Sequence, residues 1–268
     1  NINLIDHKIL DLTKIKKINT KTINLINVNF PYKKNRASKK DIKNYIEKCF
    51  KIGAKIISKY ECAGLINGPI NKKKFLNFKY PGVTEYLADK FNVKNYAMLI
   101  YNKKLSVCPI TTHLPLKNVH KHISKRKIIE KTILVNNFYK KTFKRKPRIA
   151  ITGLNPHCES PIKNAEEKKF IVPAIKSLKK FKIFLKGPLS TDTLFMKNDL
   201  KKIDVVIGMY HDQVLTPMKA LYGFDAINLT LGLPFLRVSP DHGPNEKMFG
   251  KNLSNPYSLF QAIKFLDN

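Results

Sequence analysis

Short apolar runs, separated by longer amphipathic stretches, are the sequence feature that most limits the folds open to this chain. Brief Ile, Leu and Val runs bounded by Gly, Pro and Asn are typical of buried strands, whereas apolar residues three and four apart are typical of helices. Strands are predicted at residues 62–66, 96–101, 105–110, 148–152, 182–185, 205–209 and 226–229, with one or two more within 1–30. Helices are predicted at 38–59, 123–143, 165–181 and 258–266. This interleaving predicts an α/β fold with a largely parallel sheet.

Two breaks divide the pattern, at Tyr80-Pro81-Gly82 and at Ser239-Pro240. A chain of 268 residues can form one large domain or two small ones. We therefore expect the chain to cross between two halves of the molecule at these points. The first half would comprise 1–81 plus 239–268, and the second 82–238.

The strong positive charge raises the question of a nucleic-acid partner. The formal net charge is +32, but it comes from 46 lysines and only five arginines, spread along the whole chain. Proteins that read bases and phosphates use Arg heavily because its planar guanidinium makes paired contacts. A/T-rich codons favour Lys, Asn and Ile, so nucleic acid is not the predicted main partner. The positive field would still attract anionic substrates.

Neither a membrane segment nor a disulfide framework is predicted. No stretch approaches the roughly 18 apolar residues that cross a bilayer. The first residues lack the features of a secretory signal, which predicts a cytoplasmic location. The four cysteines, Cys49, Cys62, Cys108 and Cys158, have no CxxC spacing and are interpreted as reduced, structural thiols.

Three histidines each follow a predicted strand. His113 comes after 105–112, His157 after 149–156 and His211 after 204–210. Ligands of open α/β sheets gather beyond the carboxyl ends of strands, so the three imidazoles could converge on one divalent metal. Three protein ligands would leave open positions for a substrate. The alternative, that each histidine is only a turn or capping residue, stays open on spacing alone.

Basic and hydroxyl-bearing residues accompany these histidines. Lys72 follows the turn 67–71 at a helix start, and 187–193 is a loop rich in hydroxyls. Arg237 follows the apolar run 233–236 and so needs an anion, either a substrate phosphate or an internal carboxylate. No GxGxxG, GxxxxGK[ST] or GxSxG motif occurs, so spacing alone predicts no nicotinamide cofactor.

At these same positions the chain resembles the 4-hydroxythreonine-4-phosphate dehydrogenase family. The family's motifs occur in order as NGPINK (67–72), VTEYLA (83–88), THLPL (112–116), RIAITGLNPH (148–157), GPLSTDTLF (187–195), MYHDQ (209–213), NLTLGLPFLR (228–237) and DHG (241–243). The resemblance implies two α/β domains with a cleft between them, as in isocitrate and isopropylmalate dehydrogenases. It also implies a homodimer whose metal site lies near the subunit interface.

The resemblance assigns a role to each site residue. The implied ligands of a divalent metal (Zn, Mg or Co) are His113, His157 and His211. The implied substrate contacts are Thr84, Lys219, Asn228 and Arg237. Lys219 and Asp212 are the expected catalytic residues, Asp212 by orienting a ligand, and Asp241 is expected to give polar support.

The implied reaction is the NAD-linked (or NADP-linked) oxidation of a small phosphorylated hydroxy-amino acid. A divalent metal lowers the pKa of the substrate hydroxyl, hydride passes to the nicotinamide, and the resulting 3-oxo acid loses carbon dioxide. The pathway implied is vitamin B6 biosynthesis.

This chain departs from the family pattern at three places. Val83 stands where the family usually has a phosphate-binding His, and 158–161 replaces a glycine-rich loop. The family's opening GDPxGIGPE segment has no counterpart, so the first domain is expected to be truncated relative to the family. Two alternatives therefore stay open. One is a dehydrogenase of 4-phospho-threonate or 4-phospho-erythronate, and the other is an inactive or basic binding protein.

Overall fold

The structure is a computed structural model that describes residues 4–8, 23–30, 38–77, 79–160, 163–223, 225–248 and 250–267. The strands are β1 Leu4–Lys8, β2 Ile23–Asn27, β3 Leu65–Ile66, β4 Ala97–Tyr101, β5 Ser106–Thr111, β6 Ile149–Thr152, β7 Leu185–Leu189, β8 Val205–Tyr210, β9 Ile227–Leu231 and β10 Arg237–Pro240. The helices are α1 Lys39–Lys59, α2 Lys72–Leu76, α3 Val83–Lys90, α4 Val119–His122, α5 Lys125–Phe143, α6 Val172–Lys179, α7 Thr191–Leu194, α8 Lys197–Leu200, α9 His211–Tyr222 and α10 Tyr257–Asp267.

A single eight-stranded sheet organises the chain, in the order β3-β10-β9-β4-β5-β8-β6-β7, and β1 and β2 form a separate parallel pair. Strands β5, β8, β6 and β7 run parallel, whereas β4 is antiparallel to both its neighbours and β10 is antiparallel to β9. The predicted α/β class is confirmed, but the sheet is mixed rather than largely parallel. The links from β4 to β5 and from β9 to β10 are too short for a crossover, so each reverses the chain direction.

Both faces of the sheet are buried. Alternate residues of one strand enter different clusters, as Val206 and Ile207 of β8 do. One cluster contains residues of α5, α6 and α10, and the other contains residues of α8 and α9. A sheet covered on both sides has near-continuous apolar strands, which is why these runs are visible in the sequence.

Most predicted elements are confirmed, with two corrections. Within the predicted 62–66 only Leu65 and Ile66 form a strand, and they are half-buried because β3 is an edge strand. The predicted strand at 182–185 is wrong in position, since β7 begins at Leu185. Lys182 has φ 56°, a left-handed turn conformation that no strand contains.

The predictions on membrane segments, domain division and cysteines have different outcomes. No helix of the described residues is long and apolar enough to span a membrane. The division into 1–81 plus 239–268 and 82–238 stays a prediction. The cysteines Cys49, Cys62, Cys108 and Cys158 are all free, as interpreted from their spacing.

Two arginines clamp Asp204 at the start of β8, and this clamp should stabilise the fold. Arg145 Nη1 and Arg148 Nε donate to Asp204 Oδ2 at 2.8 and 3.1 Å, and the Asp204 side chain is only 9% exposed. Burial raises the pKa of Asp204, but hydrogen bonds from Arg148 and Arg145 outweigh it, so the pKa lies well below its usual range. Asp204→Ala should therefore lower the free energy of unfolding at pH 7 by about 2–3 kcal/mol.

The effect of Asp204→Ala should depend on pH. A carboxyl whose pKa is lowered in the folded state stabilises the fold at pH values above its unfolded pKa of about 3.9. This stabilisation is lost as the pH falls through the pKa of the folded state. Urea unfolding at pH 7 and pH 3 measures the difference. The matched control is Glu130→Ala, which breaks the surface pair Arg126–Glu130 and should cost less than about 0.5 kcal/mol. Equal losses in the two variants would contradict the prediction.

Candidate functional site

An open pocket of about 210 Å³ lies between α3, α9 and the strands β4, β9 and β10. Its lining contains all four predicted substrate contacts and two of the three predicted metal ligands, namely Thr84, Lys219, Asn228, Arg237, His113 and His211. It also contains Lys72, Val83 and Asp241. Six of the eight short motifs read from the sequence therefore contribute residues to one cavity, which we call the main pocket.

Strand register brings the polar residues of β9 and β10 together. Arg237 pairs with Thr230, and Ser239 pairs with Asn228 across the antiparallel ladder. Residues two apart on a strand share a face, so these four side chains lie on the same face of the sheet. The Thr230 hydroxyl lies 3.2 Å from both Thr84 Oγ1 and Arg237 Nη1.

Arg237 is buried, with 3% of its surface exposed, yet no ion pair to it is found in the described residues. Its Nε donates to Asn67 Oδ1 at 2.7 Å, and its other bond goes to the Thr230 hydroxyl. Burial lowers the pKa of Arg237 to about 10, partly offset by the field of Glu85, so the guanidinium stays charged at neutral pH. Of the two partners left open by the sequence, an internal carboxylate in contact with Arg237 is not found among the described residues, and this cation has charge available for an anion in the pocket.

Two further polar groups face the main pocket. Lys219 Nζ donates to the backbone oxygen of Asp241 at 2.8 Å and lies 3.1 Å from Asp241 Oδ2. Burial raises the pKa of Asp241, and the charge of Lys219 works against this rise. Asn228 Oδ1 is buried, and no described residue gives it a hydrogen bond. An unpaired buried acceptor is costly, so this oxygen suits a ligand donor.

His113 and His211 lie side by side, with ring centroids 5.7 Å apart. Lys72 Nζ donates to His113 Nε2 at 3.2 Å, which leaves the ring proton on Nδ1, 3.7 Å from Glu85 Oε1. His211 Nδ1 lies 2.7 Å from Asp212 Oδ1, although the Asp212 side chain is 79% exposed. Each imidazole thus faces a carboxylate on one side, the arrangement that orients metal-binding histidines.

Glu85 was not among the predicted site residues. Its carboxylate supports the Nδ1 side of the His113 ring. The Thr112 hydroxyl donates to Glu85 Oε1 at 2.7 Å. Burial raises the pKa of Glu85, but the nearby His113 ring and the hydrogen bond from the Thr112 hydroxyl outweigh it and lower the pKa to about 2. The group is therefore ionised at neutral pH. Its position in the first turn of a helix, beside Thr84, was the signal available in the sequence.

His157 does not join the other two histidines within one chain. Its side chain is 74% exposed, its Nδ1 lies 3.9 Å from Asp192 Oδ2, and it is absent from the lining of the main pocket. Across the described residues no three His, Cys, Asp or Glu side chains are grouped closely enough to hold a metal ion. His157 and Cys158 have positive φ values of 56° and 60°, in a turn that directs the histidine outward.

Two buried side chains that sequence reasoning missed fix the loops around the site. Gln213 Oε1 accepts bonds from Thr152 Oγ1 and Met209 N–H, and its Nε2 donates to the Gly153 oxygen and Thr191 Oγ1. It thereby joins the ends of β6 and β8 to α7. Glu167 fixes the turn before His157, because its Oε1 accepts hydrogen bonds from two backbone N–H groups of that turn.

Gly82 is the residue that lets α3 approach His113. A Cβ at this position would lie 2.7 Å from both His113 Cε1 and Glu85 Oε2. We expect Gly82→Ala to displace the His113 ring while the fold is retained, because the clash is with two side chains rather than with backbone. The measurement is the NMR signal of His113 Cε1–H, which should shift by more than a linewidth.

The matched control for Gly82→Ala is Gly53→Ala in the middle of α1. Its added Cβ meets only the flexible end of Leu65, at 3.3 Å, and an alanine there should favour the helix by about 1 kcal/mol. His113 should keep its wild-type signal in this variant. An unshifted His113 signal in Gly82→Ala would show that the close packing is not needed to hold the ring.

Comparison with known proteins identifies the family of this chain. Residues 1–266 match the protein family described as pyridoxal phosphate biosynthetic protein PdxA. The chain is 47% identical over 205 residues to the 4-hydroxythreonine-4-phosphate dehydrogenase of Sulfurihydrogenibium sp., an alignment covering 75% of this chain and 63% of that protein. The chain thus matches less than two thirds of that relative's length.

Two further comparisons bear on fold and substrate. The D-threonate 4-phosphate dehydrogenase of Pectobacterium atrosepticum is 34% identical over 220 residues, covering 81% of this chain and 68% of that protein. The crystal structure of 4-hydroxythreonine-4-phosphate dehydrogenase from Klebsiella pneumoniae superimposes with a TM-score of 0.81 at 27% identity, covering 99% of this chain and 82% of that one. The match extends over the described sheet and the helices around it.

Proposed function

We propose, from the premise that this chain belongs to the family of the pyridoxal phosphate biosynthetic protein PdxA, that it oxidises 4-phosphooxy-L-threonine. The product would be 2-amino-3-oxo-4-phosphooxybutanoate, which loses carbon dioxide to give 3-amino-2-oxopropyl phosphate in pyridoxine 5'-phosphate synthesis. The oxidant would be NAD or NADP. The proposal includes a cytoplasmic location, which the four free thiols support.

The observation that carries the proposal is the buried guanidinium of Arg237. Within the described residues its hydrogen-bond partners are the neutral side chains of Asn67 and Thr230, so a phosphate would supply the negative charge that this cation lacks. Thr84 would add its hydroxyl to the same group. These two residues would offset the absence of a histidine at Val83.

The remaining pocket residues would hold the other end of the substrate. Lys219 donates to the Asp241 backbone oxygen, and its ammonium can also donate to the substrate carboxylate. Asn228 Oδ1 would accept a hydrogen bond from the amino or hydroxyl group. The carboxylate of Asp212 would keep the His211 ring in one orientation, which makes Asp212 a positioning residue.

Some side chains of the pocket are suitable ligands for a divalent metal. His113 Nε2 already accepts from a cationic group, the ammonium of Lys72, and Asp241 Oδ2 has no well-directed hydrogen bond. Two imidazoles suit Zn or Co, whereas Mg prefers oxygen ligands. His113 and His211 would hold the metal, which when bound polarises the substrate oxygen and favours loss of its proton.

A second copy of this chain would complete the metal site with His157. The exposed position of His157 and its distance from the main pocket support this part of the proposal, because an exposed imidazole can reach a neighbouring subunit. A homodimer has self-complementary contacts, so each of two sites would receive one His157.

A second candidate substrate is D-threonate 4-phosphate, favoured by the similarity to the dehydrogenase of that name. The two substrates differ in the group at carbon 2, which is an amine in one and a hydroxyl in the other. Asn228 Oδ1 can accept from either group, so the described contacts favour neither.

The experiment is NADH production from each substrate by the purified chain, with added Zn, Co or Mg. We expect turnover of 4-phosphooxy-L-threonine that a chelator abolishes. Turnover of D-threonate 4-phosphate alone would overturn the substrate. Absence of turnover with both, together with salt-dependent RNA or DNA binding, would favour the basic binding protein instead.

A further inference from the structure

A second cavity, of about 450 Å³, lies on the other side of the His113–Glu85 wall from the main pocket. It is formed by the start of α5, the segment before β4 and the end of β5, and we call it the α5 cavity. Its charged lining residues are Glu85, Lys94, Arg126, Lys127, Glu130 and Lys131. Such a volume holds a small molecule rather than a single ion.

The charges of the α5 cavity do not balance. Arg126 and Glu130 neutralise each other in an ion pair of 2.6 Å. Three positive charges then remain, from Lys94, Lys127 and Lys131, against one negative charge from Glu85, which leaves a net charge of two. This matches the charge of about −1.5 to −2 on a phosphate monoester at pH 7.

Lys131 is the residue for which the chain offers least compensation. Its side chain is half-buried whereas those of Lys94 and Lys127 are exposed, and no hydrogen bond or ion pair to its ammonium group is found among the described residues. The ammonium lies 5.7 Å from the ring centroid of Tyr96. A half-buried lysine without an ion pair favours an anionic ligand, because partial burial disfavours its charged form.

The helix start adds donors to the same cavity. Helix α5 has 19 residues, and Ser124, its N-cap, accepts a bond from the Lys127 N–H at 3.3 Å. The other N–H groups of a first helical turn remain available, and the helix dipole favours an anion there. Lys127 and Lys131 are four residues apart and so extend from the same side of the helix.

We propose that the α5 cavity is a second anion site, which binds a small phosphate-bearing molecule with Lys131 as its deepest cationic contact. The site is distinct from the main pocket, and it does not depend on the proposed dehydrogenase activity. Because His113 lines both cavities and Glu85 lines the α5 cavity, a ligand here would lie next to the carboxylate that faces His113.

The test is calorimetric titration of the full chain with inorganic phosphate and with glycerol 3-phosphate. The wild-type chain should bind two phosphates, and Arg237→Met, which removes the main pocket's cation, should bind one. In the double variant Arg237→Met, Lys131→Met the remaining binding should weaken at least about tenfold. The matched control is Lys176→Met on the exposed side of α6, which should change neither site.

Each outcome of the titration supports or contradicts the second anion site or the proposed function. If Arg237→Met does not fold, Lys131→Met alone should still reduce the stoichiometry from two to one. Tighter binding of glycerol 3-phosphate than of phosphate would identify an ester as the ligand, and equal binding would identify the ion itself. A stoichiometry of one that Lys131→Met leaves unchanged would overturn the proposal. Two bound phosphates without dehydrogenase turnover would refute only the proposed function.

Discussion

Replacing Arg237 by methionine is expected to raise KM for the phosphorylated substrate by about 100- to 1000-fold. The variant removes two charge-assisted hydrogen bonds to phosphate, each worth about 1.5–2 kcal/mol, and 1.4 kcal/mol corresponds to a factor of ten. Methionine keeps much of the side-chain volume, so the packing against Thr230 is preserved. Initial rates of NADH formation across substrate concentrations measure the effect.

The same variant should be as stable as the wild type or more stable. Arg237 is buried without an ionic partner in the described part of the chain, and replacing such a charge by an apolar side chain is often neutral or stabilising. We expect the free energy of unfolding to rise by about 1 kcal/mol, because binding sites commonly cost stability. A loss of affinity combined with a gain in stability distinguishes a binding role from a structural one.

The control for Arg237→Met is Arg126→Met, which removes an arginine whose side chain is 84% exposed. Both KM and the free energy of unfolding should stay near wild-type values in this control. If Arg237→Met instead unfolds the protein and leaves the KM of any remaining activity unchanged, Arg237 is structural and the phosphate site lies elsewhere.

At a substrate concentration near the wild-type KM, mixing two variants that are each nearly inactive there is expected to restore about a quarter of the wild-type activity. The variants are His157→Ala, which lacks the third imidazole, and Arg237→Met, which lacks the phosphate contact. In a mixed dimer the intact pocket of one chain receives His157 from the other, so one of two sites is complete. Random exchange makes half of the dimers mixed, which gives one active site in four.

This experiment separates a shared site from a site within one chain. If one chain supplied every ligand, each half of the mixed dimer would keep its own defect and no activity would return. Subunits are exchanged by dilution and reconcentration, and activity is compared with each unmixed variant. The control pair is His113→Ala with Arg237→Met, whose defects lie in the same pocket and which should give no recovery.

The sequence by itself determined most of the predicted strands and helices, the α/β class and the family, but it missed helix α9 and strand β10. Apolar runs such as 205–209 are visible because strands covered on both faces need apolar residues at every position. The helix predicted over 38–59 is α1, and Ser38 and Asp41 form a capping box at its start. The resemblance read from eight short motifs is confirmed by the family match over residues 1–266. The metal set, the nicotinamide cofactor and the homodimer stay predictions.

Only the tertiary structure decided which of these residues meet. The antiparallel register that sets Arg237 opposite Thr230, the support of His113 by Glu85, and the outward position of His157 depend on contacts between residues far apart in the chain. Local patterns fix the periodicity of each element, but strand order and loop conformation arise from packing the whole sheet at once. For that reason the three histidines, alike in the sequence, divide in the fold into two that share a pocket and one that faces outward.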